Sequence, residues 1–300
     1  MQNKIIVTSA SNRFFPWLLN FIWSVQKNYP NHEKLIIYSL WLNKIFLSEL
    51  KNIENIEIRE VPKVVQFWKN DFTWKLLIFE DLMLNYENSL IFYIDYWATV
   101  LKSLNDIFEI IKKDWYFFVD QWKTNNLTKS IPKDYMNNFN INIIDIENKF
   151  SVAAWFTWFN SKNEIIKNII FESSNFAKKW YCLNKGIPWD NLKRNCDVFR
   201  NDQSVLSMLL FNKIENPIIH NMTIYWWSPS YIAWQYVHSH RRLLKNLPYI
   251  NSIKFKNVLL TQKIIIKTNR LLIKSYFKTE KILVKTSYLL NNINKWNSQS

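Results

Sequence analysis

The stretch Ser89–Phe108 reads SLIFYIDYWATVLKSLNDIF. From Leu90 to Ile94 it is apolar or aromatic without a break, which suits a strand covered on both faces, as the strands of a parallel sheet are. An aspartate follows at once. Asp95 would therefore emerge at the C-terminal end of a buried strand, the edge where ligands of open α/β sheets gather. Its carboxylate suits a hard divalent cation or a sugar hydroxyl there, although an aspartate in this place can also do no more than cap a turn. Beyond it, LNDIFEIIKK returns to a helical period.

The same alternation extends toward the N-terminus. KIIVTSA (4–10), KLIIYSL (34–40) and IEIREV (56–61) have strand patterns, and FPWLLNFIWSVQKN, NKIFLSELKN and FTWKLLIFEDLMLNY have helical ones. Strands alternating with helices predict an α/β chain with a mainly parallel, Rossmann-like sheet flanked by helices. Thr8 and Ser9, at the end of the first strand, would then lie near Asp95. The second half is less regular: YFFVD, then SVAAWFTWFN, a long helix around NEIIKNIIFESSNFAKK, a helix in RNDQSVLSMLLFNK, and IIHNMTIYWWSPSYI with YVHSHRR as loop and extended segments returning to the sheet. No internal repeat is present.

Tryptophan and glycine usage is anomalous. The chain has 16 Trp and 1 Gly in 300 residues, where a globular composition gives roughly 7% glycine, or about 20 residues. The tryptophans sit where glycine is useful. Trp41 separates an apolar run from a new helical pattern, Trp189 stands in the turn-like IPWDN, Trp180 closes a helix-like segment, and Trp226 and Trp227 precede Ser-Pro. Only Trp74, within a helical period, reads as a genuine indole. Most of the others read as UGA codons that the source lineage translates as glycine, and the bias toward Asn, Lys and Ile fits the AT-rich genome in which that would occur. The other explanation is an aromatic-rich chain that avoids glycine.

With Trp97 taken as glycine, the quoted stretch resembles the metal strand and following Leu-Lys-Ser-Leu segment of nucleotide-sugar glycosyltransferases of the A fold, family 8 and its uncharacterised bacterial relatives in particular. Further segments follow in that family's order across residues 4–242. FTWKLLIFEDLML resembles the basic helix before the metal strand, which implies that Lys75 serves the donor diphosphate. VAAWFTWFN, read as VAAGFTGFN, is similar to the strand of small residues under the sugar. NDQSVLSMLL matches an Asp-Gln pair facing the donor sugar, so Asp202 and Gln203 become the catalytic candidates, with Asp202 as a simple N-cap the plainer alternative. YVHSHRR lies where the family has a metal histidine, here His238 or His240, without the Gly and Lys-Pro-Trp that usually follow.

The resemblance implies transfer of a hexose, with retention at the anomeric carbon, from a nucleotide-diphosphate sugar to a saccharide or lipid-linked acceptor, as in cell-surface polysaccharide synthesis. Thr8, Ser9, Lys75, Asp95 and Arg241 would bind the donor, and Asp95 with His238 and His240 would hold Mn or Mg. One departure weakens the metal site: Asp95-Tyr96-Trp97 replaces Asp-x-Asp, so the second carboxylate is missing. Lys75 and Arg241 would then neutralise the diphosphate instead. Two rival functions remain open, an inactive nucleotide-sugar-binding protein and a basic nucleic-acid-binding protein.

Composition bounds these expectations. A 48% hydrophobic content supports a substantial core. Cys182 and Cys196 lack the spacing of a zinc site or a disulfide framework. No apolar run is long enough to cross a bilayer and no signal-peptide pattern opens the chain, which predicts a cytoplasmic protein. The net charge of +15 is uneven: residues 251–300 carry ten basic residues against Glu280 alone. Lys263, Lys267, Arg270, Lys274, Lys278, Lys281 and Lys285 recur at helical spacing, so residues 1–245 are expected to form the catalytic domain and 246–300 a basic amphipathic helical tail. That tail either packs on the body with a solvated edge or lies, over 259–290, on an anionic membrane surface as a peripheral anchor.

Overall fold

The computed structural model describes residues 2–62, 74–120, 126–131, 136–137, 141–184, 201–221 and 236–239. The chain divides into two compact units, one of residues 1–41 and 55–253, the other of 42–54 and 254–300. The basic tail, His240, Arg241 and Trp189, Trp226 and Trp227 lie outside the described residues. In the second unit the described residues, 42–54, contain one helix, α2 (Lys44–Lys51), capped by the Asn43 side chain, which accepts from the Phe46 amide at 2.9 Å.

In the first unit the apolar runs form strands as their pattern requires. They are β1 (Asn3–Ala10), β2 (Lys34–Ser39), β3 (Ile56–Glu60) and β4 (Ser89–Ile94). Next come a short β5 (Ala98–Val100), β6 (Tyr116–Asp120) and β7 (Val152–Asn160), and the brief β8 (Ile219–His220) and β9 (Val237–Ser239). Seven of them make one sheet in the order β3-β2-β1-β4-β7-β6-β8. β1 pairs in parallel with both β2 and β4, β2 in parallel with β3, and β6 in parallel with β8. β7 alone runs antiparallel to its neighbours. The sheet is thus mainly parallel, as the sequence predicts, and every residue of β4 and β7 is buried.

Helices cover both faces. On one, Ile5, Val7, Tyr38, Ile91 and Tyr93 pack with α3 (Trp74–Asn85), α7 (Glu164–Asn184) and α8 (Asn201–Lys213). On the other lie α1 (Phe15–Asn28), opened by Pro16, and α4 (Asn105–Asp114), whose Phe108 meets Phe92 edge-on at 6.5 Å. Two single turns, α5 (Leu127–Ser130) and α6 (Ile143–Ile146), start on asparagine caps. α7 runs through Trp180 to Asn184, so the helix end expected at Trp180 is not found. Tryptophan has ordinary helix propensity, and as written the segment contains no glycine to stop it.

Nor is β5 foreseen by the pattern. It pairs antiparallel with β9 in a separate two-stranded ladder, with Thr99 opposite His238. Helix α1 holds it in place. Asn20 donates to the Thr99 hydroxyl at 2.8 Å, Asn28 to the Val100 carbonyl at 2.7 Å, and the Val100 amide donates to Ser24 Oγ at 2.9 Å. Ser24 passes its own proton to the Phe21 carbonyl at 2.7 Å. Replacing Ser24 with alanine leaves a buried amide unpaired, so Ser24→Ala is expected to lower unfolding free energy in urea by about 1–3 kcal/mol.

Candidate active site

Strand order reverses between β1 and β4, since β1 continues to β2 on one side and meets β4 on the other. A crevice beyond the C-terminal ends of such a pair is where doubly wound sheets bind ligands. Asp95 follows β4 directly and its backbone is fixed twice. Its amide donates to the Trp155 carbonyl of β7 at 3.0 Å, and its carbonyl accepts from Ala98 at 3.0 Å, closing the turn into β5.

Three elements converge on this carboxylate. Tyr93 precedes it by one full strand repeat and shares its face, so the phenol donates to Asp95 Oδ1 at 2.9 Å. The phenol has one proton, so Ser9 Oγ, 2.8 Å away, donates to the Tyr93 oxygen. From the first turn of α3, Lys75 places Nζ 3.2 Å from Asp95 Oδ1 and 3.1 Å from Asp202 Oδ2 at the start of α8. Lys75 is 4% exposed and Asp202 6%. The ammonium also lies 5.1 Å from the centre of the Tyr93 ring. Asp95 Oδ2 accepts from Trp97 Nε1 at 3.1 Å, and the rings of Trp97 and Trp155 are 5.2 Å apart.

α8 is pinned to the sheet one turn beyond its acid. Ser207 Oγ donates to the Gln203 carbonyl at 2.6 Å and accepts from the Val152 amide at 2.9 Å. Gln203 itself is buried beside Asp202.

Burial and charge oppose one another here. Burial pulls the Lys75 ammonium down, but Asp202 and then Asp95 outweigh it and hold the group above the ordinary lysine range. For Asp202 burial wins: it pushes the carboxyl up by more than Lys75 draws it down. Tyr93 is driven well above the usual phenol range, by burial first and by Asp95 second.

The structure thus brings together Lys75, Asp95, Asp202 and Ser9 of the residues expected from sequence, with Gln203 adjacent. Thr8 is not among them. Successive strand residues face opposite sides, so Thr8 points away from Ser9 and its buried hydroxyl has no hydrogen-bond partner among the described residues. β9 pairs with β5 and so brings the His238 backbone to the strand that follows the Asp95 turn; His240 and Arg241 lie beyond the described residues. Tyr93 and Ser207 stand outside the residues the sequence singles out, although the alternation of β4 alone puts Tyr93 on the face of Asp95; position 155 falls in the strand read there as VAAGFTGFN.

The described donor set does not fit a divalent cation. Asp95 Oδ1 already meets Lys75 and Tyr93, and the Lys75 ammonium occupies the space between the two acids. Among the described residues, no three His, Cys, Asp or Glu side chains gather as metal ligands. No described helix is long and apolar enough to cross a membrane.

A family model described as a protein of unknown function (DUF1647) matches residues 1–80, which include Ser9 and Lys75. No curated protein sequence matches the chain. Among solved structures it is similar to galactosyltransferase LgtC in complex with donor and acceptor sugar analogues, at 14% identity over 87% of this chain and 99% of that one, with a TM-score of 0.51. An active-site mutant of LgtC gives 14%, 86%, 99% and 0.50 by the same measures. The apo bifunctional glycosyltransferase WbbM gives 10% identity over 81% of this chain and 46% of that one, with a TM-score of 0.52. The chain has the glycosyltransferase A fold, as its sequence motifs imply.

Removing Lys75 would leave two buried acids uncompensated, so Lys75→Met is expected to destabilise by about 3–5 kcal/mol in urea at neutral pH. Asp202→Asn should cost less than Lys75→Met, because Asp95 still faces the Lys75 ammonium at 3.2 Å and the amide escapes the burial that raises the carboxyl. A carboxyl raised on folding loses folding free energy as pH climbs from the ordinary aspartate range through its folded value, and the amide removes that loss.

Proposed function

We propose that the chain is a hexosyltransferase that moves a sugar from a nucleotide-diphosphate donor to a saccharide or lipid-linked acceptor. The observation that supports this best is the Lys75 ammonium held at 3.2 and 3.1 Å between Asp95 and Asp202, where the strand order reverses. A buried charged triad is expensive to keep for stability alone, and such groups concentrate where ligands are handled. LgtC, whose fold this chain shares, was solved with donor and acceptor sugar analogues; the same two ligand classes are proposed here.

In this proposal the donor lies across the C-terminal ends of β1 and β4. Asp95 accepts a hydroxyl of the donor, and Asp202 with Gln203 flanks the hexose, while Lys75 keeps the two carboxylates apart and oriented. The bond from the anomeric carbon to the diphosphate oxygen breaks as the acceptor oxygen bonds to that carbon, and the acceptor proton passes to the departing phosphate. Retention would follow from attack on the face that the leaving group vacates. Charge developing on the diphosphate needs fixed positive charge nearby. Arg241 is the side chain proposed for that task, because the Lys75 charge already faces two acids. Residues 259–290 would bring the enzyme to an anionic, cytoplasmic membrane face where lipid-linked acceptors reside.

A second proposal, an inactive nucleotide-sugar binder, is favoured by the single carboxylate after β4. Nucleoside diphosphate release from a panel of nucleotide hexoses, assayed with and without Mn, separates the two. The enzyme reading expects turnover that Asp95→Asn and Asp202→Asn each lower by roughly 10²–10³. Binding without turnover of any donor supports the second proposal, and absence of nucleoside diphosphate binding defeats both.

A further inference from the structure

We infer that positions 41, 97, 115, 155 and 158 are glycine in the protein as its source organism makes it, and that this opens Asp95 Oδ2 to a hydroxyl-bearing ligand. The first half stands on backbone and packing alone; the second rests on the proposed function.

Six described residues other than glycine have positive φ: Asn55, Asn88, Asn148, Asn216, Trp41 at 63° and Trp115 at 70°. Asparagine tolerates the left-handed region, whereas a bulky side chain there is an outlier. Trp115 ends α4, and its amide donates to the Ile111 carbonyl at 2.9 Å, the helix stop that glycine normally makes. Trp41 follows β2 after Leu40. Neither indole is buried, the side chains being 54% and 41% exposed at 41 and 115.

Within β7 the conflict is steric. Trp158 is fully buried, its ring centre lies 3.1 Å from that of Phe92, and Phe117 and Phe156 stand at 5.2 and 5.3 Å. Aromatic pairs prefer ring centres roughly 4.5–7 Å apart, and the Trp158 and Phe92 rings are tilted by 41°, so the indole is over-packed. Its Nε1 has no hydrogen-bond partner among the described residues, an unusual state for a buried indole.

At the candidate site the indoles have a functional consequence. Asp95 Oδ1 is engaged by Tyr93 and Lys75, and Trp97 Nε1 sits on Oδ2 with the Trp155 ring beside it. Glycine at 97 and 155 removes both rings and leaves Oδ2 as an acceptor facing the crevice. With the Lys75 ammonium already on Oδ1 a second cation beside it is disfavoured, so the class Oδ2 would accept is a hydroxyl-bearing ligand, as a sugar or ribose is. Trp74, which lies in α3 with ordinary helical backbone and is buried, stays tryptophan.

Mass spectrometry of the protein from its source organism decides the residues. Tryptic peptides 35–44, 76–102, 114–123 and 150–162 carry positions 41, 97, 115, 155 and 158. Glycine masses are expected at all five, and an indole at 41 or 115 overturns the assignment. In recombinant protein, Trp41→Gly and Trp115→Gly should each raise the melting temperature by about 2–4 °C; a fall at both overturns the backbone argument. The chain carrying all five glycines should bind uridine diphosphate or a uridine diphosphate hexose at least about tenfold more tightly than the chain as written, a gain of ~1.4 kcal/mol. Glycine in the peptides with no gain in binding overturns the opening of Asp95 and leaves the residue assignment standing. Indoles in the peptides together with donor turnover by the chain as written overturn this inference and leave the proposed function standing.

Discussion

One ammonium between two carboxylates ties the sheet to the helices on one of its faces. Lys75 comes from α3, Asp95 from the end of β4 and Asp202 from α8, and none of the three side chains is well exposed. Each group needs the others, because a charge moved from water into this environment and left alone would carry a penalty of several kcal/mol. Strand order is what makes the meeting possible. β4 must lie beside β1 for Tyr93 to reach both Ser9 and Asp95, and β7 must lie beside β4 for its carbonyl at Trp155 to receive the Asp95 amide. Ser207 then fixes the height of α8 against β7, so that Asp202 arrives level with Lys75.

As written, the chain has 1 Gly in 300 residues, and its turns and helix ends reflect that. Asparagine takes on much of the work glycine would do: it occupies left-handed positions at 55, 88, 148 and 216. It also caps helices, with Asn43, Asn126, Asn142 and Asn163 side chains accepting from amides in the first turn that follows each. A short side chain that hydrogen-bonds its own backbone makes both roles accessible. Tryptophan has neither property, so Trp41 and Trp115 hold the same backbone shape without the chemistry that allows it.

Much of this was legible in the residues, and the failures have physical causes. A continuous apolar run announces a strand buried on both sides, which is why β1, β2 and β4 were clear and why Asp95 stood out as the first polar residue past β4. Periodicity reports exposure and is silent about direction, so the antiparallel course of β7, equally buried, could not be seen. β5 and β9 are too short to carry a pattern, and β5 is held by side chains of α1 that no local pattern announces. Thr8 and Ser9 look equivalent in the sequence, yet the two-residue repeat of a strand sends one hydroxyl to the site and the other to the opposite face. Lys75 could be placed from a family resemblance, while its engagement by two acids needed coordinates.

Under the proposed function, that engagement bears on how charge would be distributed in the site. With both acids ionised the triad has net charge −1, and the proposed nucleoside diphosphate would bring further negative charge to the same crevice. Placing the diphosphate against the triad would therefore set like charges together in a site with little water, which is unfavourable. The triad suits the uncharged part of a donor better: carboxylates accept hydroxyls, and the hexose and ribose offer several. Asp202, already pushed toward its protonated form by burial, would be strained further by a neighbouring phosphate and relieved by a neighbouring hydroxyl. Under the proposed function the diphosphate is then better met by cationic groups outside the triad, the task proposed for Arg241.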